Sequence, residues 1–165
     1  VSQNLTLTAP DGSVVVDLDL TKTREAESRL PEARMVNPST YADLEFCFNE
    51  AYRELRRHDA SLGYQITQAE KRAEMLKAEI LLDRYPEFMK DRPKSQDSAD
   101  TRKAFLMRDS EYLKAVDTIA MLKAAQAMVD GKIKVFEKTC QYCRKQMDLI
   151  IRSGLSSRDL YNTNK

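Results

Sequence analysis

The hydrophobic pattern changes period along this 165-residue chain, and each change marks a different kind of element. Asn4-Leu5-Thr6-Leu7-Thr8 and Val14-Val15-Val16-Asp17-Leu18-Asp19-Leu20 are rich in strand formers and partly alternate apolar with polar side chains. Ala9-Pro10-Asp11-Gly12-Ser13 between them has turn chemistry, so the pair predicts a β-hairpin. An isolated two-stranded hairpin is marginal in water; it must pack on the helices, the preferred outcome, or lend its edge to a sheet in another molecule. Residues 21–38 are charged and hold Pro31 and Pro38, which predicts a connector with at most a short helix.

From Ser39 the period becomes helical. Ser39 or Thr40 can cap a first helix of about twenty residues whose apolar face is Tyr41, Leu44, Phe48, Ala51 and Leu55. Gly63 offers a break. Ile66, Ala69, Ala73, Leu76 and Ile80 then form a second stripe, on a helix expected to stop near Tyr85, before Pro86. Residues 86–99, with Pro93 and Lys94-Ser95-Gln96-Asp97-Ser98, read as a loop, after which Ser98 or Asp100 can cap a helical segment through Arg108.

The strongest pattern follows. With Tyr112 at position a of a heptad, Tyr112, Ile119, Gln126, Ile133, Cys140 and Met147 fall at a, and Ala115, Leu122, Val129, Phe136, Cys143 and Ile150 at d. A helix from Ser110 to Arg152, ended by Ser153-Gly154, would be roughly 64 Å long at ~1.5 Å per residue. Two shorter helices would cover only part of such a seam, which favours a homo-oligomer held by Ile119, Leu122, Gln126, Val129, Ile133, Phe136, Met147 and Ile150. Gln126, the one polar side chain in the seam, can fix register. The expected architecture is mainly α: antiparallel helices with one very long coiled-coil-like C-terminal helix, preceded by a hairpin. Its parts are residues 1–38, hairpin and connector, and 39–165, a helical DNA-binding and oligomerisation domain.

Composition narrows the chemistry. Four Gly leave no room for a glycine-rich phosphate loop, and a single His, His58 after Arg56-Arg57, reads as a surface cation near a helix end rather than as a general base. Cys140 and Cys143 have C-x-x-C spacing, but Cys47 and His58 are poor completions of a four-ligand zinc site, so the pair is expected to pack in the seam. The expectation is a non-enzyme without metal or cofactor. No apolar run approaches the ~18 residues that cross a bilayer, and a cytoplasmic setting without membrane partners follows as the default. The net charge of +1 hides an asymmetry: residues 1–85 hold 11 Lys/Arg against 15 Asp/Glu, residues 86–165 hold 16 against 11. Lys90, Arg92, Lys94, Arg102, Lys103 and Arg108, with Tyr85, Phe88 and Phe105 among them, combine cations with aromatic faces as single-stranded nucleic-acid sites do. A solvated loop with its aromatics tucked into the core explains the same residues.

Residues 64–153 bear on this choice. Met75-Leu76-Lys77-Ala78, Asp83-Arg84-Tyr85, Asp97-Ser98-Ala99-Asp100-Thr101-Arg102-Lys103, Asp109 and Leu113-Lys114-Ala115-Val116-Asp117-Thr118 occur in an order that resembles phage recombination mediators of the UvsY type. The resemblance implies a non-catalytic, ring-like homo-oligomer that binds single-stranded DNA and contacts a single-strand-binding protein and a recombinase. It places Lys77 in the DNA-binding stretch and adds Arg84 to the basic candidates. Glu79 stands where the family carries a second basic residue, and Lys138-Thr139-Cys140 lies where the family has Arg-Gly-Phe. The alternative is a helical structural or chaperone-like protein that binds proteins and no DNA.

Overall fold

The computed structural model describes residues 4–10 and 14–162, with side chains described for 4–10 and 16–154. Strands β1 (Asn4–Thr8) and β2 (Val14–Asp19) form an antiparallel hairpin. Helix α1 (Thr21–Arg29) runs into a 3₁₀ turn at Leu30–Met35, so the connector does hold one short helix. Helix α2 (Tyr41–Glu79) is followed by a π-helical turn at Ile80–Arg84, the short α3 (Tyr85–Met89), α4 (Ala99–Leu106) and the 53-residue α5 (Ser110–Asn162). The fold is mainly α with a long C-terminal helix, as the periodicity predicts.

The chain forms two compact units, each holding part of α2 and part of α5. The first comprises Val1–Leu5, Leu18–Asp59 and Met128–Lys165. Its core is Leu18, Leu20, Ala26, Leu44, Phe48, Ala51 and Leu55 against Val129, Ile133, Phe136 and Cys143, all buried. The rings of Phe48 and Phe136 lie 6.0 Å apart at 34°. Leu20 caps α1 without a side-chain bond, and a carboxylate from α2 serves instead. Glu54 accepts from the Lys22 N–H at 3.1 Å, the Thr23 N–H at 2.8 Å and the buried Thr23 hydroxyl at 2.7 Å. These are backbone donors that a helix start leaves free, and a negative charge there also complements the helix dipole.

The second unit comprises Thr6–Asp17 and Ala60–Ala127. Leu62, Ile66, Ala73 and Ile80 of α2 are buried, as are Leu122 and Ala125 of α5, Tyr85 and Leu106. Ser98 caps α4 by accepting from the Thr101 N–H at 3.1 Å.

Four expectations need correction. Gly63 does not break the helix, because the buried row Leu55, Leu62, Ile66 keeps its phase across it and a lone Gly costs only about 1 kcal/mol. His58 is therefore not at a helix end; it lies within α2, half-buried, with Nε2 2.6 Å from the Asp19 carbonyl. A carbonyl only accepts, so Nε2 carries the donating hydrogen and ties the hairpin's exit to α2 within the first unit. The helical course continues past Pro86. Widening of the turn at Ile80–Arg84 lets the Tyr85 N–H reach the Ile80 carbonyl, and Pro86 then falls in the first turn of α3, where no N–H is required. Finally, α5 continues through Gly154 instead of ending there.

The seam also finds a different use. Leu122, Val129, Ile133, Phe136 and Cys143 are buried within the chain itself, with Ile119, Gln126, Cys140, Met147 and Ile150 partly covered. A seam left over for a second subunit requires internal helices too short to cover it, and α2, at 39 residues, is not short. Leu122, Val129, Ile133, Phe136 and Cys143 therefore offer no free face to a second subunit, whereas Ile119, Gln126, Met147 and Ile150 keep part of theirs open.

Candidate nucleic-acid interface

The candidate residues fall in the second unit, and the structure divides them by what they touch. Three are already neutralised. Lys77 pairs with Glu74 at 3.1 Å on its own helix. Arg84 reaches Asp109 at 2.5 Å and Glu111 at 3.3 Å, which ties the turn after α2 to the start of α5. Arg102 is held by both Asp97 oxygens at 2.9 and 3.0 Å. Its guanidinium holds the Asp97 carboxyl below the usual carboxylate range, and the Tyr85 hydroxyl, donating to the same group at 3.0 Å, adds to the effect.

Phe105 belongs to an aromatic cluster, with its ring centre 5.4 Å from that of Tyr85 and 4.8 Å from that of Phe88. Tyr85 is buried, whereas Phe88 and Phe105 are half-buried, so the core reading of these rings holds in part and each of the latter two keeps some exposed face. Arg92 lies over the Phe88 ring at 4.0 Å. Lys90, Arg92, Lys94, Lys103 and Arg108 are exposed, and none has a carboxylate partner among the described residues. They sit on the irregular segment between α3 and α4, on α4 itself and on the turn before α5.

A second set of cations comes together only in the fold, from positions far apart in the sequence. An open groove of about 880 Å³ lies in this unit between α2 and α5. Its lining includes Lys71, Arg72 and Lys114, all exposed, the apolar Leu76 and Ala115, and the carboxylate of Glu111. Lys71 and Lys114 are 43 positions apart, and only antiparallel packing of the two helices brings them to one groove. Glu79 also lines it, the acid at the position where the resemblance leads one to expect a base.

Charge limits what these sites can do. Residues 86–127 hold eight Lys/Arg against seven Asp/Glu, whereas residues 128–165 hold eight against four, so the surplus of the C-terminal half lies mainly outside this unit. Attraction for a polyanion therefore depends on local unpaired cations, not on a net field.

Cys47 and Cys143 are buried and Cys140 is half-buried, and desolvation pushes all three thiols up. The thiolate, the reactive and metal-binding form, is thereby disfavoured. Among the described residues no three His, Cys, Asp or Glu side chains are placed to hold a metal ion, and no helix is long and apolar enough to cross a membrane. Comparison with protein-family models, with curated proteins and with solved structures finds no match.

Proposed function

We propose that this chain is a non-catalytic recombination mediator that binds single-stranded DNA and assists a recombinase to load onto DNA covered by single-strand-binding protein. The observation that carries the DNA-binding part is the set of five exposed cations without carboxylate partners, Lys90, Arg92, Lys94, Lys103 and Arg108, beside the partly open rings of Phe88 and Phe105. Cations in that setting follow phosphates while ring faces accept bases, with little sequence preference. The groove cations Lys71, Arg72 and Lys114 supply a second contact set in the same unit. The recombinase, the single-strand-binding protein and the homo-oligomer enter through the resemblance, and the oligomer must form outside the buried seam.

The test is fluorescence anisotropy of a labelled poly-dT oligonucleotide against salt. Log affinity should fall against log salt with a slope of about −0.7 per phosphate neutralised. Lys90→Glu/Lys94→Glu/Lys103→Glu should weaken binding and flatten that slope, and Lys71→Glu/Lys114→Glu should do so separately. Absence of binding at low salt removes the mediator reading. A protein-binding helical protein without DNA affinity then takes its place, a reading favoured by the exposed Phe46, Tyr64, Met75 and Leu82.

A further inference from the structure

Within the first unit, α5 carries a second heptad row on the face away from the seam. Met128, Val135, Tyr142 and Leu149 follow one another at intervals of seven residues, and all are between 39% and 59% exposed. Three positions after the last three of them come Lys138, Lys145 and Arg152, also exposed. Steps of three and four alternate along a/d seams, so the two rows make one stripe. At ~1.5 Å per residue the apolar row runs for roughly 32 Å, with its cations ~10.5 Å apart. Gly131, one heptad before Lys138, is exposed and has nothing within 4 Å of where a Cβ would stand, so another backbone can approach closely there.

Charge decides what the stripe fits. The other cations of residues 128–154 are paired: Lys132 with Glu27, Lys134 with Asp130 and Arg144 with Glu45. Lys138, Lys145 and Arg152 have no carboxylate partner among the described residues. Neither row of the stripe holds an acid; of the two adjoining rows, Lys132, Thr139, Gln146 and Ser153 hold none, and Ala127, Lys134, Gln141 and Asp148 hold one, the exposed Asp148. A second copy of this chain would therefore bring six cations together against only the two Asp148 carboxylates, a net repulsion that a helix bearing several carboxylates does not meet. An extended nucleic acid would use the cations, but three of the four apolar side chains are Met128, Val135 and Leu149, which have no ring on which a base can stack. Another α-helix repeats at the same distance as both rows, with apolar side chains for one and carboxylates for the other.

We infer that residues 128–152 of α5 form a docking surface for an acidic amphipathic helix of another protein, which pairs with it in coiled-coil register. This surface is separate from the DNA-contacting residues, and neither reading requires the other.

The experiment uses the full chain and two labelled synthetic peptides of four heptads, each with Leu at a and d. One carries Glu at e and g, the other Lys. Fluorescence anisotropy should show the acidic peptide binding and the basic one not. Lys138→Glu/Lys145→Glu/Arg152→Glu should weaken the acidic peptide by about tenfold or more, from three lost ion pairs and three new repulsions, and should create affinity for the basic one. Val135→Ala/Leu149→Ala, which keeps the charges, should weaken the acidic peptide as well. Circular dichroism checks that these exposed changes leave the helix content intact. The Lys90/Lys94/Lys103 variant should bind the peptide normally, so the outcome is independent of the DNA reading. Equal binding of the two peptides, no binding of either, or an unaffected triple variant overturns the proposal. So does poly-dT bound through the same three cations, which makes this a nucleic-acid surface, or a dimer in sedimentation that Val135→Glu dissociates, which makes the occupant a second copy.

Discussion

Replacing Gly63 by Ala tests the continuity of α2, on which the internal burial of the seam depends. Gly in a helix interior is less favourable than Ala by about 0.8–1.0 kcal/mol. An added Cβ at Gly63 would stand 3.5 Å from the Gln126 side-chain nitrogen, an ordinary contact that demands no movement. Gly63→Ala should therefore stabilise the protein by about 0.5–1 kcal/mol. Were Gly63 instead the left-handed residue that ends a first helix, Ala would suffer Cβ strain of roughly 1–2 kcal/mol, and the sign would reverse. Urea titration followed by far-ultraviolet circular dichroism reads the difference, and in a thermal scan 1 kcal/mol is worth about 2–4 °C for a chain of this size. Gly131→Ala is the reference, since nothing lies within 4 Å of its Cβ and the same propensity gain applies. If Gly131→Ala stabilises while Gly63→Ala destabilises by about 1 kcal/mol or more, α2 is not one helix and the account of the seam fails.

Other consequences are equally direct. Phe136 is only 1% exposed and packs on Phe48, so Phe136→Ala should cost about 3–5 kcal/mol in chemical unfolding. Phe136→Asp should unfold the first unit; a smaller species in light scattering with helicity intact would show that the seam joins subunits after all. Glu54→Ala leaves the buried Thr23 hydroxyl and two N–H groups at the start of α1 without their acceptor and should cost about 1–3 kcal/mol, with part recovered in Glu54→Gln. Because Arg102 lowers the Asp97 carboxyl, the tie between Asp97 and α4 contributes stability above the unfolded-state value of about 3.9 and loses it as pH falls through the lower folded-state value. Hydrogen exchange of α4 amides should rise in that acid range in the parent, and Asp97→Asn should show the faster exchange already at neutral pH with little further change.

Periodicity alone determined the kinds of element: alternation with a central turn made the hairpin, and the a/d spacing after Tyr112 made α5, because these patterns report which face of a local element is apolar. The Ser98 cap was equally local, a side chain reaching a backbone N–H three residues on. The row Met128, Val135, Tyr142, Leu149 gains its meaning only from the fold, which leaves it exposed. Tertiary structure decided whether local signals won. Gly63 and Pro86 are breakers by propensity, at a cost of about 1 and 3 kcal/mol in a helix interior, yet burial of Leu62 and Ile66 outweighs the first and the widened turn at Ile80–Arg84 removes the second. Pairing decided the site. Arg84 and Arg102 carry the same charge in the sequence as Lys94 and Lys103, and only the fold places Asp109, Glu111 and Asp97 against the first two and leaves the others open to solvent. A charge's availability depends on which oppositely charged groups the folded chain brings within a few ångströms, and that distance is not encoded in any local run of residues.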